Sequence, residues 1–350
     1  MLSLHQLVER VLLAGAHIES LPPTPKPQAP AALKPLIKAI AATHRRFDQL
    51  ALYYGHRYRS GFWAIYLLSA LAVLCAIMPL ALGWDSSTHA LHPYAGAWAM
   101  AEVGVIGTVS IIYWEGHHHD WQGQWLRART TAELSWYLPM VAPLLDFSVP
   151  SEEPNWYIRI FDPGQHLRGA DDVTKLCIGT EPLARELLAA VEANPEFMSS
   201  YARWTMDILA EQLGYHHHVA AKQRELLHRV HRVTSVLFAL TAVGALMHLL
   251  LHTLWLSLVT TFFPALGASL HGALAQSEAY RLGSTSERLV AELKMRIELI
   301  REAMDGDPAQ GIAVNDSLAI KSAIQGAVAL ILEEHQDWHM LVRPHHLALA

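Results

Sequence analysis

The chain has 350 residues, 52% of them hydrophobic and 17% charged, where an ordinary soluble domain carries about 25% charged residues. Its mean hydropathy is +0.19 and its net charge −6, which sets it apart from the basic chains that bind nucleic acid. Its two cysteines, Cys75 and Cys177, lie far apart in sequence and imply no disulfide framework.

In chain order, Met1 to Ser20 reads as a short amphipathic helix. Glu9 and Arg10 interrupt any apolar run of the kind a secretory signal needs. Leu21 to Pro35 is proline-rich, an extended tether. A basic and aromatic stretch follows, with Tyr53, Tyr54, Arg57, Tyr58 and Arg59 suited to a membrane surface. Phe62 to Trp84 is 23 residues without a charge. At ~1.5 Å per residue it reaches ~34 Å, enough to cross a bilayer core. Pro79 is expected to kink its far end. Ala95 to Trp114 is a second span, with one ionisable residue, Glu102, and a set of small residues (Gly96, Ala97, Ala101, Gly104 and Gly107) that permit close helix approach, within the chain or between chains.

The histidine triplet His117–His119 comes next. On a helix His117 and Asp120 share a side, a spacing compatible with metal, yet adjacent histidines diverge, so solvated polar groups are the favoured reading and no metal site is assigned. The same applies to His216–His218. Arg127 and Arg129 follow, Arg129 with Glu133 as an i, i+4 pair. Pro139 to Gly214 is expected to connect two halves, with Pro139 to Pro163 as loop and helices over Glu181–Glu192 and Ser199–Leu213. Val233 to Leu251 and Leu254 to Ala275 are the third and fourth spans, separated by His252 and Thr253 alone, with Pro264 and Gly267 bending or tightening the fourth. Ser284 with Glu287 has the signature of a capping box. Leu289, Leu293, Ile297 and Ile300 then share one helix face. After a loop from Asp305 to Asn315, Asp316 is placed to cap a last helix that runs through Glu334, with Ile320, Ile324, Val328, Ile331 and Leu332 inward.

No strand-like alternation occurs. The expected fold is therefore an all-α membrane protein, with four transmembrane helices in two hairpins and helical extensions. The expected divisions are 1–35 (helix and linker), 36–138 (first hairpin), 139–214 (connector), 215–304 (second hairpin) and 305–350 (last helix). The hairpins share a plan and form a parallel repeat of about a hundred residues, unlike the inverted repeats of many transporters. All basic clusters lie on one side of the spans. Lys34, Lys38, Arg45, Arg46, Arg57 and Arg59 precede the first, Arg127 and Arg129 follow the second, Arg229 and Arg232 precede the third, and Arg281 and Arg288 follow the fourth. The loop Asp85–Tyr94 holds no Lys or Arg. The positive-inside rule then puts both termini in the cytoplasm and the chain in the inner membrane.

The stretches GHRYRSGFWAIYLLSALAVL (Gly55–Leu74), HDWQGQWLRARTTAELSWYL (His119–Leu138), the third span with its basic lead (His228–Leu251), Trp255–Leu282 and LEEHQDWHMLVR (Leu332–Arg343) together resemble the SLATT superfamily. These are bacterial two-transmembrane-helix proteins associated with SLOG and SMODS components of conflict systems. The resemblance implies a membrane effector of bacterial defence that oligomerises into a pore or disrupts the bilayer, and a nucleotide-signalling or SLOG-type partner. The chain differs from a minimal member in carrying two hairpins. Its alternatives are a non-conducting anchor or scaffold for a cytoplasmic partner, and a transporter subunit. No P-loop, GxSxG, GxGxxG or acid dyad occurs, so no enzymatic activity and no cofactor are expected. Glu102 is the candidate pore-lining residue, since a charge in hydrocarbon must meet water or a partner; one turn inside Trp98, near the outer face, it also suits an interfacial carboxylate reaching loop groups or headgroups. The candidate membrane-surface residues are Arg57, Arg59, Arg127, Arg129, Arg229 and Arg232.

Overall fold

The computed structural model describes residues 2–22, 27–144, 170–305 and 314–342. Among these residues the regular structure is helical throughout, with no strand. The α-helices are α1 (Leu4–Leu12), α2 (Lys34–Ala81), α3 (Ala95–His118), α4 (Trp121–Val141), α5 (Ala170–Ala193), α6 (Pro195–Leu251), α7 (Leu256–Gln276), α8 (Ala279–Met304) and α9 (Val314–Val342).

Four helical stretches, Ala31–Ala81, His92–His118, Pro195–Leu251 and Leu256–Met304, are long and apolar enough to cross a membrane. Only 28%, 0%, 11% and 22% of their most apolar windows is buried within the chain. Apolar helix surface left this uncovered marks a contact with a membrane or with another protein.

Two of these helices are much longer than their apolar parts. With 48 residues α2 runs ~72 Å, and with 57 residues α6 runs ~86 Å, each more than twice a hydrocarbon core of ~30 Å. Each is polar at its start and apolar at its end, and each packs against its two successors: α2 on α3 and α4, α6 on α7 and α8. In both halves the chain breaks between the apolar return helix and the polar helix after it at an acidic residue with left-handed backbone, Asp120 (φ 44°) and Glu278 (φ 53°). The halves meet where α2 packs on α7. There Gly272 of α7 admits the ring of Tyr66; a Cβ at Gly272 would lie 2.9 Å from two ring carbons and closer to a third.

The core falls into two parts. One lies at the polar ends and gathers the start of α2 (Leu36, Ile40), the end of α4 (Leu138, Met140, Val141), α5, the start of α6 (Met198, Tyr201, Leu209), the end of α8 (Leu293, Ile300) and α9 (Ile320, Ile324, Val328). The other lies where the polar and apolar parts join, around Tyr58, Phe62, Trp63, Trp125, Leu226 and Leu274. The expected inward face of Leu289, Leu293, Ile297 and Ile300 is buried, as are Ile320, Ile324, Val328 and Ile331. The Leu332 side chain lies outside the described residues.

Several local expectations are corrected. The helix placed at Ser199–Leu213 and the third span are one unbroken α6, so residues 214 and 215 fall mid-helix. A single Gly214 costs about 1 kcal/mol against alanine, too little to break a helix packed along its length. Pro139 sits inside α4, and Ala142–Leu144 continues as a buried 3-10 turn rather than loop. Of the expected loops 139–163 and 305–315, residues 145–163 and 306–313 lie outside the described residues. Ser284 is no cap: α8 begins five residues earlier, Ser284 Oγ donates to the Arg281 carbonyl at 3.0 Å, and Glu287 pairs with Arg224. Asp316 is the third residue of α9 instead of its cap. Finally, α1 is docked on the rest of the chain, against both α2 and α6.

Candidate functional site

The polar residues of the junction core enclose a small cavity where α1, α2, α4, α6 and α7 converge. Tyr58 and Arg59 come from α2, Trp125 from α4, Gln223 from α6, Gln276 from the end of α7 and Glu9 from α1. The space is about 50 Å³, room for a few waters and too small for a metabolite. Gln276 Nε2 donates to the Tyr58 hydroxyl at 2.9 Å, joining the two halves 218 residues apart. Lys222 Nζ donates to Glu9 Oε2 at 2.6 Å, which fixes α1 to α6. The Arg59 guanidinium lies over the Trp125 ring, 5.0 Å from its centroid, a cation–π contact. Burial among these rings presses the Arg59 pKa down, opposed by Glu9, and the same burial pushes Tyr58 up to about 12. His5, buried beside Ser60 and stacked on His56, is lowered to about 4 by its desolvation and then by Arg59.

The six candidate surface arginines are held in different ways. Arg57 stacks over Tyr53 (4.7 Å) and Trp121 (5.6 Å). Arg127 pairs with Asp120 at 2.8 Å, and Arg129 pairs with Glu133 one turn on. Arg229 pairs with Glu225 at 2.6 Å and also donates to the Ala14 carbonyl behind α1 at 3.1 Å. Arg232 donates to His228 Nε2 at 2.7 Å. Asp120 is thus held by Arg127 and by the Gly123 amide. The neighbouring histidines diverge: His117 stacks on Tyr113, His118 on Trp114, and His119 reaches Glu115 at 3.3 Å. His216 turns inward to Ser286. Among the described residues no three His, Cys, Asp or Glu side chains converge as a metal site.

The second apolar helix is the least covered part of the chain. At 100° per residue, the half-buried or buried residues Trp98, Glu102, Val105, Val109 and Gly116 of α3 form one arc, the arc that meets α2. Glu102 lies on that arc, half-buried, with no hydrogen bond or ion pair to another side chain among the described residues. Ala97, Ala101, Gly104 and Thr108 form a second arc, exposed throughout, and an added Cβ at Gly96, Gly104 or Gly107 would meet nothing within 4 Å. Among the described residues these small residues therefore pack against no other helix. Gly267 lies against another helix: its Cβ position is 4.0 Å from Thr234 on α6.

Sequence reading did not identify the Glu9–Lys222 and Tyr58–Gln276 pairs or the close approach of Tyr66 to Gly272. The available signals were an acid within an amphipathic helix and a glutamine closing an apolar run, and neither names its partner. No family model, curated protein or solved structure matches this chain.

Proposed function

We propose that the chain is a multi-pass protein of the bacterial inner membrane, a SLATT-type effector that assembles with copies of itself and makes the bilayer permeable in a conflict or defence system. Both termini and the polar helical body face the cytoplasm, and the loop Asp85–Tyr94 faces out. The observation that carries the reading is α3: its apolar window is almost wholly uncovered, and among the described residues neither its small-residue arc nor Glu102 has a partner. A small-residue arc lets helices of separate copies approach closely in lipid. An unpaired carboxylate at that depth needs water or another chain beside it, which an assembled pore supplies.

The test is conductance of the reconstituted protein, with toxicity in cells beside it. Glu102→Gln is expected to change cation selectivity or to abolish toxicity. Unchanged conductance and unchanged toxicity would remove Glu102 from the pore. Cysteines placed in the 85–94 loop should react with an impermeant reagent from outside the cell only.

One observation favours a second reading. The helical body of α5, the start of α6, the end of α8 and α9, with its own hydrophobic core, is larger than a minimal hairpin needs, which suits a scaffold that holds a cytoplasmic partner at the membrane. An inserted chain that never conducts would support that reading over the pore.

A further inference from the structure

The first helix is amphipathic in an inverted sense. Helix α1 directs His5 and Glu9 inward, with Val8 and Leu12, against α2 and α6. Its outer arc is apolar: Leu4, Leu7 and Val11 are 38%, 50% and 67% exposed. Gln6 and Arg10 lie to one side of that arc. A helix docked on a soluble protein would turn its leucines in and its acid out.

The docking contacts also fix its level. Ser60, which holds His5, precedes the start of the uncharged run at Phe62 by two residues. Arg229, which holds the carbonyl of Ala14, precedes the third span at Val233 by four. Lys222, which holds Glu9, lies eleven residues or ~16 Å before Val233, so the Glu9 face of α1 reaches toward the polar part of α6. At ~1.5 Å per residue the Ser60 and Arg229 contacts lie ~3–6 Å from the start of the apolar runs. The exposed Val233 and Val236 of α6 begin the apolar surface at that level.

We infer that α1 lies in the inner leaflet's boundary between headgroups and acyl chains, with Leu4, Leu7 and Val11 in lipid, Arg10 among the phosphates, and its Glu9–His5 face clamping the two halves. The inference rests on the membrane orientation proposed above. The occupant of the outer arc is lipid because the Ser60 and Ala14 contacts set the helix beside the start of the apolar runs, and because interfacial helices lie at a depth of about 5–10 Å with basic residues on the polar side. The clamp gives the helix a second task. The Glu9–Lys222 and Tyr58–Gln276 bonds then hold the two halves together on the polar side of the spans.

The experiment uses the full chain in vesicles of phosphatidylcholine and phosphatidylglycerol, with Cys75→Ala and Cys177→Ser removing the native thiols. Single spin labels go on Leu7→Cys, Val11→Cys, Gln6→Cys and Val243→Cys, the last at a position 59% exposed in the apolar part of α6. Power saturation with oxygen and with a water-soluble nickel chelate reads depth. Labels at 7 and 11 should favour oxygen at a shallow depth, the label at 6 should favour nickel, and the label at 243 should be deep. With 243 deep, a nickel-accessible label at 7 would place the arc in water and overturn the inference. A label at 7 reached by neither reagent would mean that protein, such as a second copy, covers it, and would overturn the inference equally. A nickel-accessible label at 243 would instead sink the membrane orientation, and this inference with it.

Discussion

Replacing Gly272 by alanine tests the contact between α2 and α7 on which the joining of the two halves depends. The added Cβ would lie 2.9 Å from two carbons of the Tyr66 ring and closer to a third, so the ring must retreat by roughly 1 Å to regain ordinary contact. Overpacking of this kind costs about 1–3 kcal/mol. Alanine also returns about 0.5–1 kcal/mol over glycine within a helix. The net expectation is a loss of roughly 1 kcal/mol, a fall in melting temperature of a few degrees in detergent followed by tryptophan fluorescence. Tyr66→Ala removes the obstacle, so in that background the same Gly272→Ala change should become stabilising by about 0.5–1 kcal/mol. The sign reversal is the diagnostic, a coupling of about 1–3 kcal/mol in the double-mutant cycle. If Gly272→Ala moves stability equally in both backgrounds, Tyr66 and Gly272 are not in contact and the packing of the halves described above is wrong.

Glu9→Gln should loosen α1. The Glu9 and Lys222 side chains are 19% and 31% exposed, between the surface and buried cases, so the loss is about 1–2 kcal/mol. Amide exchange along α1 should speed up by roughly 5–30-fold, and the swap Glu9→Lys with Lys222→Glu should restore part of the protection. Docking of α1 should also weaken in acid. The buried His5 has its pKa lowered from 6.5 to about 4 in the docked state, with Arg59, Lys222 and His56 opposing its charge and Glu9 favouring it. The docked helix therefore binds fewer protons than the free one between those values, its stability is complete above pH 6.5, and it falls as pH drops toward 4. His5→Asn should flatten that dependence when α1 exchange is followed against pH. Tyr201→Phe removes the hydroxyl that donates to the Met140 carbonyl in the hydrophobic core at the polar ends, where both residues are fully buried. It should cost about 1–3 kcal/mol in thermal stability and leave any conductance per inserted complex unchanged. Gly104→Leu, by contrast, adds bulk where nothing within the chain lies near. The monomer's melting should stay within about 0.5 kcal/mol, while an oligomer sealed through this arc of α3 should come apart on size exclusion.

Much of the fold could be read along the chain because it depends on local composition. Uncharged runs of about twenty residues and the 3–4 spacing of Leu289, Leu293, Ile297 and Ile300 each report on their own helix, and both the apolar helices and the buried face are present. Helix ends were read less well. Ser284 and Asp316 carry capping chemistry, but α8 and α9 had already begun upstream, since packing extends a helix past a weak start signal. Gly214 and Pro139 looked like boundaries and were absorbed into α6 and α4 for the same reason.

The sequence by itself determined that the chain is helical and that four stretches are long and apolar enough to cross a bilayer, because hydropathy and charge act residue by residue over a single helix. Only the tertiary structure decided that α1 docks beneath both halves through Glu9 and Lys222, that Gln276 meets Tyr58, that Glu102 turns toward α2 and that the small residues of α3 face outward. The first two depend on how segments more than two hundred residues apart meet, and the last two on how α3 is rotated against its neighbour α2. A helix carries its period in its own sequence, but its rotation about its axis is settled by the surfaces that pack against it.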